Sequence, residues 1–296
     1  MKTSHYLTTD IISKLDNLSL TARMVVEGFI LGQHKSPYHG FSVEFSEHRS
    51  YGPGDEIRHI DWKLWGKTNR YYVKQFEEET NLRAYLLVDQ SRSMDFASGE
   101  ISKLDYTKIL SASLAYLMLK QQDATGLTLF DSKVRSHIPS RSRSSHLNVI
   151  LGGLNQIVSG PETNIAPILH QSAETIRKRG LIILLSDLFD DQDAVMNGLK
   201  HFRHKGHEVI VFHILDPQEI NLDFSDRTLF RDKETGEEII TEPWHIQESY
   251  MKTVEEFIDT YRCKCRNNKI DYVPLVTNQL LDTALSEYLI KRKRIG

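Results

Sequence analysis

The chain predicts an α/β fold: a doubly wound, mainly parallel sheet preceded by a smaller N-terminal α+β segment. Three observations lead there. From about Asn81 onward, short apolar runs alternate with amphipathic helical patterns. The apolar runs are rich in Val, Ile and Leu, as strands covered on both faces must be. Two of them, Arg83–Asp89 and Leu181–Asp187, stop abruptly at a carboxylate, and the carboxyl ends of strands are where open α/β sheets bind ligands.

Residues 1–80 form the N-terminal segment. An amphipathic helix over about Thr9 to Leu31 carries Ile12, Leu15, Leu18, Val25, Val26 and Phe29. The run Gly40–Phe45 follows, then a turn at Tyr51–Asp55. There Pro53 fixes φ and Gly54 accepts the positive φ of a type II turn. An alternating strand is predicted over Arg70–Phe76, and Glu77–Glu79 reads as a solvated charge run.

Residues 81–296 form the α/β domain. Strands are predicted at Arg83–Asp89, Thr125–Asp131, Val134–Ile138, Leu181–Asp187, Glu208–Leu215 and Ile270–Val276. Helices are predicted at Lys103–Gln122, Ser145–Ile157, Ile165–Lys178, Asp193–His204, His245–Asn267 and Gln279–Lys291. The first helix puts Ile109, Leu110, Ser113, Leu114 and Leu117 on one face. Asp131-Ser132-Lys133 is short enough for a hairpin, which adds one antiparallel edge strand. A second hairpin, inserted near 226–243, pairs Thr228–Arg231 with Glu238–Thr241 around Lys233–Gly236.

Composition narrows the function. With 296 residues, 40% hydrophobic and 26% charged, the chain has ample material for a core. A net charge of −3 creates no basic field for nucleic acid. Lys291–Arg294 reads as the solvated end of the last helix, where cations complement the negative end of the dipole. The two cysteines, Cys263 and Cys265, point to different helix faces and cannot supply four zinc ligands. No stretch approaches the ~18 apolar residues of a bilayer span, and no secretory leader is visible, so a cytoplasmic place is expected.

The segment ending Val88-Asp89-Gln90-Ser91-Arg92-Ser93 sets one carboxylate and two hydroxyls on the loop after a buried strand. All three offer oxygen, which suits a hard divalent cation. Asp and Ser are also common helix caps, and that reading stands beside the metal one. Thr163, in the loop Gly160–Ile165, likewise reads as a cap or a ligand. Asp187 ends the second carboxylate-tipped strand. Two such strands side by side would set two negative charges together, raising one pKa unless a cation intervenes.

Taken together, Asp89, Ser91, Ser93, Thr163 and Asp187 resemble the metal-ion-dependent adhesion site of von Willebrand factor type A domains. The resemblance implies a sheet of that type holding Mg²⁺ or Mn²⁺, with an open position for a partner's Asp or Glu. Arg92 inside the loop and Glu162 before Thr163 depart from that family's pattern. The stretch Tyr51–Trp62, with Gly54, Asp55, Arg58, Asp61 and Trp62, is similar to the hallmark of the bacterial family called domain of unknown function 58. That resemblance covers nearly the whole chain and implies work beside a MoxR-type AAA+ ATPase, in assembly or maturation of other proteins. It also leaves open a peripheral place at the inner membrane. Within the hallmark, Asp55, Arg58 and Asp61 read most simply as charge pairs around a packed Trp62.

Other motifs fail on residue identity. Gly66-Lys67-Thr68 resembles a P-loop end, but Asp61 stands where its first Gly belongs, and no Gly-x-Ser-x-Gly elbow occurs. The expected function is therefore a non-enzymatic, metal-dependent interaction module. Two alternatives remain: a Mg²⁺-dependent hydrolase using Asp89 and Asp187, with Asp190 or Asp191 as base, and a metal-free scaffold.

Overall fold

A computed structural model of the protein describes residues 17–34, 48–50, 52, 62–68, 70–74, 82–160, 164–224, 228–231 and 238–295. In chain order they form α1 (Leu18–His34), β1 (His48–Ser50), α2 (Trp62–Thr68), β2 (Tyr72–Lys74) and β3 (Arg83–Asp89). A 3₁₀ turn (Arg92–Asp95) leads to α3 (Lys103–Lys120), β4 (Ala124–Phe130), β5 (Val134–Arg141), α4 (His146–Asn155) and α5 (Ile165–Thr175). Then come β6 (Leu181–Ser186), α6 (Gln192–His204), β7 (Glu208–Leu215) and α7 (Pro217–Asn221). The chain closes with β8 (Thr228–Arg231), β9 (Glu238–Thr241), α8 (Pro243–Asn267), β10 (Asp271–Val276) and α9 (Asp282–Ile295).

Contacts group Leu18–Phe29 with the chain from Leu82 onward as one compact unit, and residues 30–81 as a second. In the second unit β1 and β2 pair antiparallel, His48 opposite Lys74. Trp62 opens α2 and meets Trp65 edge-on at 6.2 Å, while Trp65 stacks on Tyr71 at 6.0 Å. Trp62 is 55% exposed, so the expected packed indole is a surface one. Gly54, Asp55, Arg58 and Asp61 lie outside the described residues, as do Pro53 and Glu77–Glu79.

The larger unit is built on a six-stranded sheet of order β10-β7-β6-β3-β4-β5. All neighbours are parallel except β4 and β5, which form the expected antiparallel hairpin. Both outer strands contain a proline, Pro139 in β5 and Pro274 in β10. Strands β3, β6 and β7 are buried almost throughout, which their unbroken apolar runs require. Tyr85 and Leu87, Ile182 and Leu184, and Val209 and Val211 share one core with α5, α6 and α8 side chains. The alternate residues turn to the opposite face. Each fully buried Val, Ile or Leu contributes roughly 1.5–3 kcal/mol, so these three strands anchor the unit.

Helix α3 is where the periodic reading falls short. It is buried nearly all round, from Leu104 to Leu119, rather than along one apolar stripe. It packs on β3 and β4, touches β7 and meets α4, so even Ser111 and Ser113 are covered. Of the basic run Lys291–Arg294, Lys293 and Arg294 are exposed as expected, while the first two residues are not solvated. Lys291 pairs with Glu208 at 2.7 Å and Asp271 at 2.8 Å, and Arg292 grips the buried Asp123 through two nitrogens. The inserted β8–β9 hairpin forms as expected, and α7 before it is a short helix the pattern did not announce. Among the described residues, no helix is long and apolar enough to cross a membrane.

Candidate functional site

The chain leaves β3 toward β4 on one side and later returns as β6 on the other, so the winding reverses between β3 and β6. At such a reversal the connections diverge and leave a crevice at the carboxyl edge. Val88 is level with Leu185, so Asp89 and Asp187 are delivered to that edge together. Both are buried.

Asp89 has both oxygens engaged. Ser91 donates its N–H to Oδ1 at 2.9 Å, and the Ser186 hydroxyl donates to Oδ2 at 2.6 Å. Burial, and then the neighbouring Asp187 charge, push its pKa up to about 7 against the hydrogen bonds that lower it. The Ser91 and Ser93 hydroxyls are hydrogen-bonded to each other at 3.0 Å. Arg92, between them, is exposed. Mg²⁺ holds oxygens at about 2.0–2.1 Å, which puts neighbouring octahedral ligands about 3.0 Å from each other. The spacing that this hydrogen bond sets is also that of one octahedral edge.

Asp187 is positioned from behind. Its carbonyl oxygen accepts a hydrogen bond from Nε2 of His213 at 2.8 Å. Burial pushes the His213 pKa down to about 4, keeping the ring neutral, so Nδ1 must accept from the Tyr272 hydroxyl at 2.5 Å. Beyond Asp187 the chain turns sharply at the buried Leu188, whose φ of 56° lies in the left-handed region. A branched residue there costs about 1 kcal/mol or more, strain that the packing around it sustains. Its N–H is taken by the Ser186 hydroxyl at 3.0 Å, closing a chain from Leu188 through Ser186 to Asp89.

Thr163 and Glu162 lie outside the described residues, but both flanks of their loop are tied to this edge. Gly160 donates its N–H to the Gln90 carbonyl at 2.8 Å, and Ile165 donates to Oδ2 of Asp190 at 2.7 Å. Asp190 also accepts the Asp191 N–H, and Asp191 caps α6 through Ala194. Both candidate bases for a hydrolase are thus engaged in holding backbone.

Several residues here escaped the sequence reading. Asp131 and Asp216 follow β4 and β7, so four neighbouring strands end in a buried aspartate at the same edge. Asp131 binds Arg135 at 2.6 Å, and Asp216 accepts N–H groups from Ser98 and Gln218. An apolar run ending in Asp was the available signal for both. Lys103 gave no such signal. Its buried ammonium lies 2.8 Å from Asp187 and 2.5 Å from Glu219, and 5.0 Å from the centre of the Phe189 ring. Burial opposes its charge, yet the two carboxylates hold its pKa above the ordinary value. Burial raises the Glu219 pKa in turn, against the pull of Lys103. Among the described residues, no three His, Cys, Asp or Glu side chains gather as a metal group, so a cation here would rest largely on hydroxyls. Asp89, Ser91 and Ser93 offer oxygens of the kind such an ion takes, now engaged in hydrogen bonds, while Asp187 already has a cation of its own.

A family model described as "Protein of unknown function DUF58" matches residues 47–256. The uncharacterized protein Rv1480 of Mycobacterium tuberculosis is 26% identical over 227 residues, covering 75% of this chain and 70% of its own. Among solved structures, the conserved hypothetical protein BatB from Bacteroides thetaiotaomicron superposes with a TM-score of 0.50 at 18% identity. That match covers 72% of this chain and 99% of BatB, and shows a shared fold. The SpRpn10 VWA domain matches with a TM-score of 0.36 at 12% identity, covering 70% of this chain and 94% of that domain.

Proposed function

This chain belongs to the DUF58 family, and from that premise we propose that it is a metal-ion-dependent protein–protein interaction module. Its α/β unit has the mainly parallel six-stranded sheet that the resemblance to von Willebrand A domains implies, and an interaction role is in keeping with it. The observation that carries the metal reading is the Ser91–Ser93 hydroxyl pair at octahedral spacing beside the buried Asp89. Asp89, Ser91, Ser93 and Thr163 would hold Mg²⁺ or Mn²⁺, with Asp187 acting directly or through water. When bound, the ion supplies an electrophilic position that accepts a carboxylate from outside. Arg92, exposed beside it, pairs with that carboxylate's second oxygen and favours Asp or Glu over neutral groups.

The partner we propose is a MoxR-type AAA+ ATPase or its client, met during assembly or maturation of other proteins. The setting is the cytoplasm or the inner face of the inner membrane, and the module performs no turnover. A hydrolase would need a free base beside the ion, and the engagement of Asp190 and Asp191 in backbone bonds speaks against one. The metal-free scaffold has one observation in its favour, the Lys103–Asp187 ion pair.

Affinity capture separates these readings. With Mg²⁺ present the wild type should retain its partner, and EDTA or Thr163→Ala should release it. Arg92→Glu should weaken capture at low ionic strength, with less effect as salt screens the charge. Capture indifferent to all three treatments would leave the scaffold. Metal-dependent phosphate or ester release that vanished in Asp187→Ala would instead establish the hydrolase.

A further inference from the structure

Lys103 is a costly residue where it stands. It is the first residue of α3, after the capping Ser102, and a cation there opposes the helix dipole. Its side chain is wholly buried, and a buried ammonium is tolerated only with good partners. Both partners are carboxylates, and they are held differently. Glu219 is fixed by the α7 capping box: one oxygen accepts the Asp216 N–H at 2.9 Å and the other faces Lys103. Asp187 meets Lys103 through Oδ2, while Oδ1 lies 3.5 Å from the Phe189 N–H. Releasing Asp187 would still leave the ammonium a fixed carboxylate and an aromatic face.

We propose that Lys103 is a tethered competitor for the metal ion: its ammonium holds Asp187 when no ion is bound, and the ion enters by displacing it from Asp187, leaving it on Glu219. The inference rests on the metal reading above and adds the residue that sets its strength. Two cations cannot share one carboxylate a few ångströms apart without strong repulsion in so buried a place. The lysine therefore lowers metal affinity and keeps the two-carboxylate edge from being left without a cation. Glu219 is its parking place. Removing Glu219 should bind the lysine more firmly to Asp187, and removing the lysine should free the carboxylate.

The two substitutions must then act in opposite directions on the same quantity. Mn²⁺ binding to the full chain, followed by calorimetry and by electron paramagnetic resonance of free Mn²⁺, measures it directly. Lys103→Gln should bind Mn²⁺ at least about tenfold more tightly than wild type, and Glu219→Gln about tenfold more weakly, as expected for loss or strengthening of a like-charge competitor. Should Lys103→Gln unfold without metal, Mn²⁺ must raise its melting temperature more than it raises that of the wild type. Equal Mn²⁺ affinity in the three proteins would overturn the competitor while leaving the metal reading intact. Tighter binding by Glu219→Gln would also overturn it. No Mn²⁺ binding by any of them, Lys103→Gln included, would overturn both.

Discussion

Asp89→Asn isolates the electrostatic tension at the centre of the site. The carboxyl is buried and its pKa stands at about 7 instead of 3.8. Between those values the unfolded chain ionises while the folded one keeps its proton. The unfolded state then binds fewer protons, so stability falls as pH rises from about 4 to about 7 and levels off above. At about 1.36 kcal/mol per pH unit, the charged form costs the fold about 4 kcal/mol at pH 8, an upper figure because water and relaxation soften it. Asparagine retains the acceptor for the Ser91 N–H, and its amide can donate to the Ser186 hydroxyl. Urea denaturation in EDTA should therefore show Asp89→Asn more stable than wild type by roughly 2–4 kcal/mol near pH 8, with the difference shrinking toward zero near pH 4. A difference that stayed the same at both pH values would refute the assignment of the strain to the Asp89 charge.

Mg²⁺ should raise the wild-type melting temperature by mass action, more at pH 8 than at pH 5, and Asp89→Ala should lose that rise while remaining folded. Scanning fluorimetry over a Mg²⁺ series reads this directly; a rise of unchanged size in Asp89→Ala would remove this residue from the ligand set. Gly160→Ala tests the seam that ties the Thr163 loop to the edge. A methyl group at Gly160 would come within 1.9 Å of Oδ2 of Asp131, which is itself bound to Arg135. Overpacking of this kind costs roughly 1–3 kcal/mol, so a variant with wild-type urea midpoint would show that the seam is loose.

The sheet was legible because its strands are buried on both faces. Arg83–Asp89 and Glu208–Leu215 keep the limits that their apolar runs set, whereas the strand order that makes the switch point comes from tertiary pairing. Asp89, Ser91, Ser93 and Asp187 were visible because a polar group directly after such a run has only the sheet edge to occupy. Lys103 and Glu219 were not visible. A lysine opening a helix and a glutamate in a short one look like solvated charges, and only the tertiary packing of α3, α7 and the Leu188 turn buries them together. The uniform burial of α3 was hidden for a related reason. Its serines and threonine interrupt the apolar pattern, and the helix is covered by neighbours from distant parts of the chain. Trp62, expected as a packed indole, meets Trp65 edge-on yet stays 55% exposed.

The prolines of β5 and β10 constrain how this molecule can join others. A sheet with free margins invites a foreign strand to continue its ladder, the route to fibres and to strand-swapped assemblies. Pro139 and Pro274 each remove a backbone donor from an outer strand, and β5 also carries Arg135, His137 and Arg141 along its length. Lateral growth is discouraged on both sides. Association is thereby channelled to the end of the sheet, where side-chain chemistry rather than backbone pairing selects what docks. A protein whose sheet margins are closed in this way can hold and release a partner without its own ladder being extended.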